Sequence, residues 1–491
     1  MLTDQNIDKL LRFFPLAIFV LNVVTKVIFL TSEEIALDEP FSIYHAQFPI
    51  PVLIEFLKNY NNPPLFEIIL HFWIKLFGIS PFSVRFLPML FASLAPVALY
   101  HFAKRNFSTT IALTSSLLLT FSYLLQYYSH DCRAYSLFLL LGILSIHYYL
   151  ETVIVARKTS GKTILFILST TLLIYTHYFG FFILFFQGLH LLIFFRGRIL
   201  VFSGYYFLIL LLYIPHLYPF LTRAGDSVGR GTWIESPQSL EGLYNSLWVF
   251  SNFPFITVGC IIILVAALIK FISRPKIPEN FHAVSLVVFW FLFAYLGMFI
   301  ISFWVPMYIH RYLIYALPAY YITICLCVMY LFQAVRYQHI LLGALVFCFA
   351  CTQEYSPDKK QPISDAVTTI KENKRPETTV LVYPYDLITV FSYNYDQNAF
   401  SLVSDNRQFY MLDSSLKSQK IYHIWGYDDL MSYKQRLTAD LIYFASGEQR
   451  NNFSDPVYKF LTDSFDLRWQ KKTGANWFII KFTSKKGVAA Q

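Results

Sequence analysis

Charged residues are scarce in this sequence. They make up 14% of its 491 residues, where soluble chains carry about 25%, and that shortage excludes an ordinary soluble enzyme. Cysteine is scarce as well. Five of the six (Cys260, Cys325, Cys327, Cys348, Cys351) lie in apolar runs, Cys132 stands at the end of one, and the polar tail has none. This excludes a disulfide framework. Cys325 and Cys327 are two apart and diverge on a helix, so they do not form a metal pair. No internal repeat or low-complexity tract is present. The net charge of +9 is scattered along loops rather than gathered into a patch, which argues against a nucleic-acid partner. A cleavable signal peptide is also not expected. The first apolar run follows Lys9 and Arg12, is long enough to span, and precedes no small-residue cleavage site.

What fills the chain instead is apolar and aromatic: 56% hydrophobic residues, with 50 Phe and 35 Tyr. About 20 apolar residues cross a bilayer. Runs of that kind are expected near 13–30, 85–103, 109–128, 134–154, 163–177, 178–195, 199–219, 253–272, 283–304, 312–332 and 338–353. The fold class is therefore a polytopic α-helical membrane protein of about eleven spans. Residues 1–353 form the membrane domain and 354–491 a small soluble α/β domain.

Charge orients the spans. Arg157, Lys158 and Lys162 precede the 163–195 stretch, and Arg196 and Arg198 follow it. With both flanks cytoplasmic, the stretch goes out and returns, with Thr176–Gly180 at the outer apex. Lys9, Arg12, Lys104, Arg105, Lys270, Arg274, Lys276 and Arg336 then collect on the same side. By the positive-inside rule the N-terminus is cytoplasmic and the C-terminal domain lies outside the cytoplasmic membrane.

Three outer regions follow. Residues 31–84 carry the acidic pair Asp38-Glu39. They also carry Leu65–Phe77, too short to span, where Glu67, His71 and Lys75 recur every four residues; this pattern predicts an interfacial amphipathic helix. Residues 220–251 read as a long glycine-bearing loop that covers a site. In the tail, strands are expected at 379–383, 420–425, 439–444 and 477–482, and helices at 365–373 and 456–465.

Polar groups fit for acid–base and anion chemistry cluster at the outer span ends. They are Asp38-Glu39, then Asp131 and Arg133 between Tyr127-Tyr128 and Tyr135, His177-Tyr178, and His310-Arg311 after Trp304-Val305-Pro306. The alternative for each is structural: a solvated pair for Asp38-Glu39, an Asp–Arg pair for Asp131, and a backbone-bonded loop histidine for His177. Intramembrane and interfacial charges carry function more often than exposed ones do.

The run Leu37-Asp38-Glu39, Asn62-Pro63-Pro64-Leu65-Phe66, His71-Phe72-Trp73, Leu76-Phe77-Gly78 and Arg85-Phe86-Leu87-Pro88 resembles the opening of the bacterial dolichyl-phosphate-mannose-protein mannosyltransferase-like glycosyltransferases. The segments 128–135, 175–180 and Arg311-Tyr312-Leu313 resemble later elements of that family, and Val380–Pro384 is similar to the start of its outer domain. The resemblance implies a C-type glycosyltransferase fold. It also implies a polyprenyl-phosphate sugar donor in contact with membrane lipid, and transfer to a lipid, glycan or protein acceptor on the outer face. Asp38 matches the family's catalytic carboxylate, with Glu39 beside it, and Asp131 matches the second acidic position, where it orients the acceptor, balances Arg133 or helps hold a divalent metal ion. Arg311, His310 and Arg133 are the candidates for the donor phosphate, with His177 and Tyr178 as further substrate contacts. Relatives that transfer to lipid A carry a lysine before the proline pair. Here Asn62 supplies no charge, which shifts that role to Arg311, or to Lys75 if its helix faces the cavity. A transporter or flippase of lipid-linked sugars is the alternative, but charge gathers at one face rather than at mid-membrane.

Overall fold

The computed structural model describes residues 4–36, 38–58, 62–154, 160–229, 231–356, 363–403, 407–474 and 477–485. Leu37, Arg157 and Lys158, used above, lie outside them. Two compact units divide the chain. The first holds Met1–Leu30, Leu57–Ile69 and Arg85–Pro357; the second holds Thr31–Phe56, Leu70–Val84 and Asp358–Gln491. The chain is a multi-pass membrane protein with a separate α/β unit.

Among the described residues seven helices are long and apolar enough to cross a membrane, and eight if one bent pair counts as a single span. This corrects the expected eleven. Ser160–Thr176 and Gly180–Phe194 are apolar but only 17 and 15 residues long. At 1.5 Å per residue they reach about 25 and 22 Å, short of a ~30 Å hydrocarbon core. The first helix, Asp4–Val27, ends before Leu30 and carries buried Asn22 and Lys26 near its end; it is not counted among the seven. Within the first unit His310–Leu331 is the most enclosed span, with 78% of its apolar window buried. Pro254–Ser273 and Val335–Thr352, at 17% each, present bare apolar surface instead.

The bent pair is Thr109–Thr120 and Tyr123–Ser129, which meet at 54°. Breaking a helix inside an apolar unit strands backbone groups that must find partners. Asn252 supplies them: its Nδ2 donates to the Phe121 carbonyl at 2.6 Å, and its Oδ1 accepts from the Tyr123 N–H at 2.8 Å. The bend aims the Tyr128–Arg133 turn. That turn is pinned again where the His130 Nε2–H donates to the Lys26 carbonyl at 2.8 Å. Elsewhere in this unit the buried Glu151 carboxylate pairs with both Arg105 and Lys162, tying three helix ends together.

Two further expectations change. The Ile199–Gly229 helix runs ten residues into the expected 220–251 loop, and Glu241–Phe250 is helical too. Only about a dozen residues of connection remain. Leu65–Phe77 is a helix as expected, with two of its three polar stripe residues turned inward and Lys75 exposed. Glu67 and His71 are buried while Phe72, Leu76 and Phe77 are exposed, and the His71 ring bonds the Ala46 carbonyl at 2.8 Å. Such a helix puts its apolar side where lipid can cover it.

The second unit is built on a five-stranded sheet in the order β2-β1-β3-β5-β4. Its strands are β1 (Thr379–Tyr383), β2 (Ile421–His423), β3 (Asp440–Ser446), β4 (Phe465–Thr473) and β5 (Trp477–Ser484). β1 runs parallel to β2 and β3, while β5 is antiparallel to β3 and β4. The Ser364–Asn373 and Pro456–Ser464 helices lie where expected. β4 was not foreseen, because its outward Asp466, Arg468 and Lys472 mask the alternation; charged side chains of that kind are how edge strands avoid foreign partners.

The acidic-pair segment belongs to this unit. Tyr44 packs on Phe400 and Phe409 with centroids 5.4 and 5.2 Å away. Asn394 donates to the Ile35 carbonyl at 3.1 Å, and Tyr393 to that of Ile79 at 2.8 Å. The Glu34 carboxylate accepts from the Ile363 and Ser364 N–H groups at 2.8 Å each, capping the Ser364–Asn373 helix.

His423 on β2 is wholly buried with neither ring nitrogen bonded. Burial, with a smaller contribution from Lys417, depresses its pKa from about 6.5 to about 3. Above pH 6.5 neither state binds a proton there. Below it the unfolded chain takes up a proton that the folded site refuses, so stability falls as pH drops towards 3, by up to ~1.4 kcal/mol per pH unit. In urea unfolding of the sheet followed at several pH values, His423→Leu is expected to flatten this slope. Equal slopes in the two proteins would show that His423 does not carry it.

Candidate active site

The site in the first unit forms around the turn between Ser160–Thr176 and Gly180–Phe194. That turn is tight: a Cβ on Gly180 would approach the Leu173 carbonyl oxygen to 3.1 Å. Its first residue, His177, stacks on Phe138 at 4.7 Å and lies edge-on to Tyr312 at 5.3 Å, with Tyr135 6.0 Å away. Burial foremost, then the nearby Arg311 and Arg133 guanidinium groups, together push the His177 pKa down to about 3. The imidazole is therefore neutral at physiological pH, sitting among cations.

Arg133 is buried and Arg311 partly so. The Arg311 guanidinium sits 5.0 Å from the Trp233 ring and 5.4 Å from that of Tyr312. Trp233 lies on the short connection before Glu241–Phe250, anchored where Thr232 Oγ1 donates to the Pro306 carbonyl at 2.7 Å. Asp131 is partly buried, and both it and Arg311 act electrostatically on the Tyr128 hydroxyl. Tyr128 in turn packs on Tyr135 at 4.8 Å. The structure thus brings together Asp131, Arg133, His177 and Arg311, lined by tyrosines. His310 opens the helix that continues through Arg311 and is partly buried. Tyr178 turns away: its hydroxyl bonds His216 Nε2 at 3.2 Å. Asn62 is partly buried in the turn before Pro63.

Asp38, Glu39 and Lys75 belong to the second unit. Asp38 is exposed in the turn that precedes the Glu39–His45 helix. Glu39 is wholly buried, and its Oε2 accepts from the Ala36 N–H at 3.5 Å, which braces that turn. Lys75 is exposed on its helix. Among the described residues no group of three or more His, Cys, Asp or Glu side chains is placed to hold a metal ion. Asp131 acts electrostatically on the neighbouring Tyr128 hydroxyl.

Sequence reasoning missed Trp233, an exposed ring on a glycine-bearing connection. Arg85, named above only as part of a motif, is fully buried and donates from Nη1 to the Leu30 carbonyl at 3.3 Å. The pairing of Trp233 with Arg311 spans 78 positions and leaves no local signal.

Residues 61–221 match the family model for dolichyl-phosphate-mannose-protein mannosyltransferase. That span includes Asn62, Asp131, Arg133 and His177 but neither Asp38 nor Arg311. Among solved structures the chain is similar to ArnT from Cupriavidus metallidurans bound to undecaprenyl phosphate. The TM-score is 0.59 at 10% identity, over 98% of each chain. The chain has the C-type glycosyltransferase fold. It is also similar to the oligosaccharyltransferase AglB from Archaeoglobus fulgidus, in complex with an inhibitory peptide and a dolichol-phosphate. There the TM-score is 0.54 at 12% identity, over 97% of this chain and 74% of that one. No curated protein matches the sequence.

The neutral state of His177 is testable by NMR of the histidine-labelled chain in nanodiscs. Its resonance is expected to stay flat from about pH 4.5 to 8, because the pKa lies near 3. Arg311→Met is expected to raise that pKa by removing one repelling charge. An inflection near pH 6.5 in the unmodified protein would contradict the geometry.

Proposed function

We propose that this chain is an integral-membrane glycosyltransferase. It moves a sugar from a polyprenyl-phosphate-linked donor to a lipid, glycan or protein acceptor at the outer face of the cytoplasmic membrane. The observation that carries this reading is the pair of arginines, Arg133 and Arg311, converging on a neutral His177, within a fold whose structural neighbour binds undecaprenyl phosphate. The family match over residues 61–221 points the same way. The distribution of basic residues supports a cytoplasmic N-terminus and an outer C-terminal unit.

The chemistry asks for two things. The acceptor hydroxyl attacks C1 of the donor sugar as the bond from C1 to the phosphate oxygen breaks, with inversion at C1. The proton leaving that hydroxyl needs a carboxylate, and Asp38 is assigned as the general base. Its exposure suits contact with a substrate, while buried Glu39 fixes the turn that presents it. The departing polyprenyl phosphate needs no proton, only cations for its charge. Arg311 is assigned first, then Arg133 and His310. Aromatic faces orient a guanidinium without neutralising it, so the Trp233–Arg311–Tyr312 stack keeps a planar, bidentate donor in place for phosphate. Preorganised cations in a low-dielectric setting stabilise such a leaving group most effectively. Asp131 is assigned to orient the acceptor or balance Arg133.

A positioned general base contributes about 10²–10⁴ in rate. With labelled polyprenyl-phosphate sugar and native membranes as the acceptor source, Asp38→Asn is expected to lose transfer by roughly that factor while donor binding persists. Undiminished transfer would remove Asp38 as the base.

A further inference from the structure

Outside the site above, the densest unexplained chemistry lies at the carboxyl ends of the parallel strands in the second unit. β2, β1 and β3 are adjacent in that order. The chain moves from β1 outward to β2, then crosses back past β1 to β3. The direction of winding reverses between β1 and β3, and such a reversal opens a crevice beyond the strand ends where α/β sheets take ligands.

Here that place carries side chains suited to a sugar. Tyr385, just after β1, stacks on Trp425, just after β2, with centroids 4.8 Å apart and planes 15° from parallel. Trp425 is 61% exposed, so its indole adds little to the core. Asp386 shares the turn of Tyr385 and is exposed. Arg450, after β3, lies within electrostatic reach of the Asp386 carboxylate. Its guanidinium is held in place: Nη1 donates to the Ser446 carbonyl at 2.9 Å, and the group lies 5.2 Å from the Tyr383 ring. Gly447, at φ +89, leaves it room, since a Cβ there would come within 3.4 Å of Nη1.

We propose that this strand-end surface binds the saccharide portion of the acceptor, a role that rests on the glycosyltransferase reading. The C–H face of a pyranose stacks on Trp425, while its hydroxyls donate to Asp386 and accept from Arg450. A bare lipid tail would instead desolvate that carboxylate and guanidinium without replacing their hydrogen bonds.

A second feature joins this surface to the acidic pair. Phe409 lies 6.3 Å from Tyr385, stacks on Tyr44 at 5.2 Å and stands edge-on to His45 at 5.7 Å, and Gln408 bonds the His45 ring. Phe409 holds φ +60, a conformation that non-glycine residues keep only where their surroundings enforce it. Tyr44 and His45 end the seven-residue helix that begins at Glu39, so the surface meets that helix about 10 Å along from the carboxylates.

The test is saturation-transfer difference NMR on the full chain in lipid nanodiscs. The probes are N-acetylglucosamine, mannose, galacturonic acid and cellobiose. At least one is expected to bind, with Trp425→Ala weakening it about tenfold, equivalent to ~1.4 kcal/mol. Trp425→Tyr is expected to retain most of the affinity, and Arg450→Gln to lose part of it. Melting temperatures of the variants control for folding. Binding by none of the four probes would overturn the proposal, as would binding indifferent to Trp425→Ala. Donor consumption is followed in parallel. Consumption without saccharide binding overturns this inference alone, whereas Trp425-dependent binding without any consumption overturns the transferase reading and leaves a saccharide site standing.

Discussion

The contact of Arg311 with Trp233 and Tyr312 is the interaction on which the candidate site depends. Taking a guanidinium out of water costs several kcal/mol, and cation–π contacts return only about 0.5–2 kcal/mol each. The two rings orient that charge at the site. The rest of the site is consistent with that. Burial, reinforced by two arginines, keeps His177 neutral, and the bend bridged by Asn252 aims the Asp131–Arg133 turn. The Gly180 turn is tight where His177 enters the cluster, with a Cβ there 3.1 Å from the Leu173 carbonyl oxygen.

The fold was legible in the sequence wherever a physical rule is local. Apolar runs mark helices because a bilayer demands length and low polarity, and every expected run falls on a helix. What composition alone could not supply was whether each helix is long enough to cross, as Ser160–Thr176 and Gly180–Phe194 are not. For Leu65–Phe77 the helix and its two faces were legible, but not which face meets the protein. Periodicity reveals two faces but not which solvent each one meets, and near a membrane the apolar face can be the outer one. In the tail β1 was read to the residue, because buried parallel strands are continuous apolar runs. The charged edge strand β4 carried no such signal.

The candidate site was legible only in part. Arg133, His177 and Arg311 were named from their positions at span ends, and the structure gathers them in one unit. Trp233 was invisible, because only the folded chain brings it to Arg311. The acidic pair divided in a way no local rule anticipates: Glu39 is buried as the brace of a turn, while Asp38 is left exposed. Tyr178 was named for its neighbour His177, yet its hydroxyl serves His216. Adjacent residues in a tight turn point to different partners, so proximity in sequence does not imply a shared role.

The most direct measurement of the central claim is an experimental structure of the full chain in nanodiscs with a polyprenyl-phosphate-linked sugar bound. The account predicts the donor phosphate within about 3 Å of the Arg311 guanidinium, beside Trp233. A phosphate seated away from Arg311 and Arg133 would contradict it.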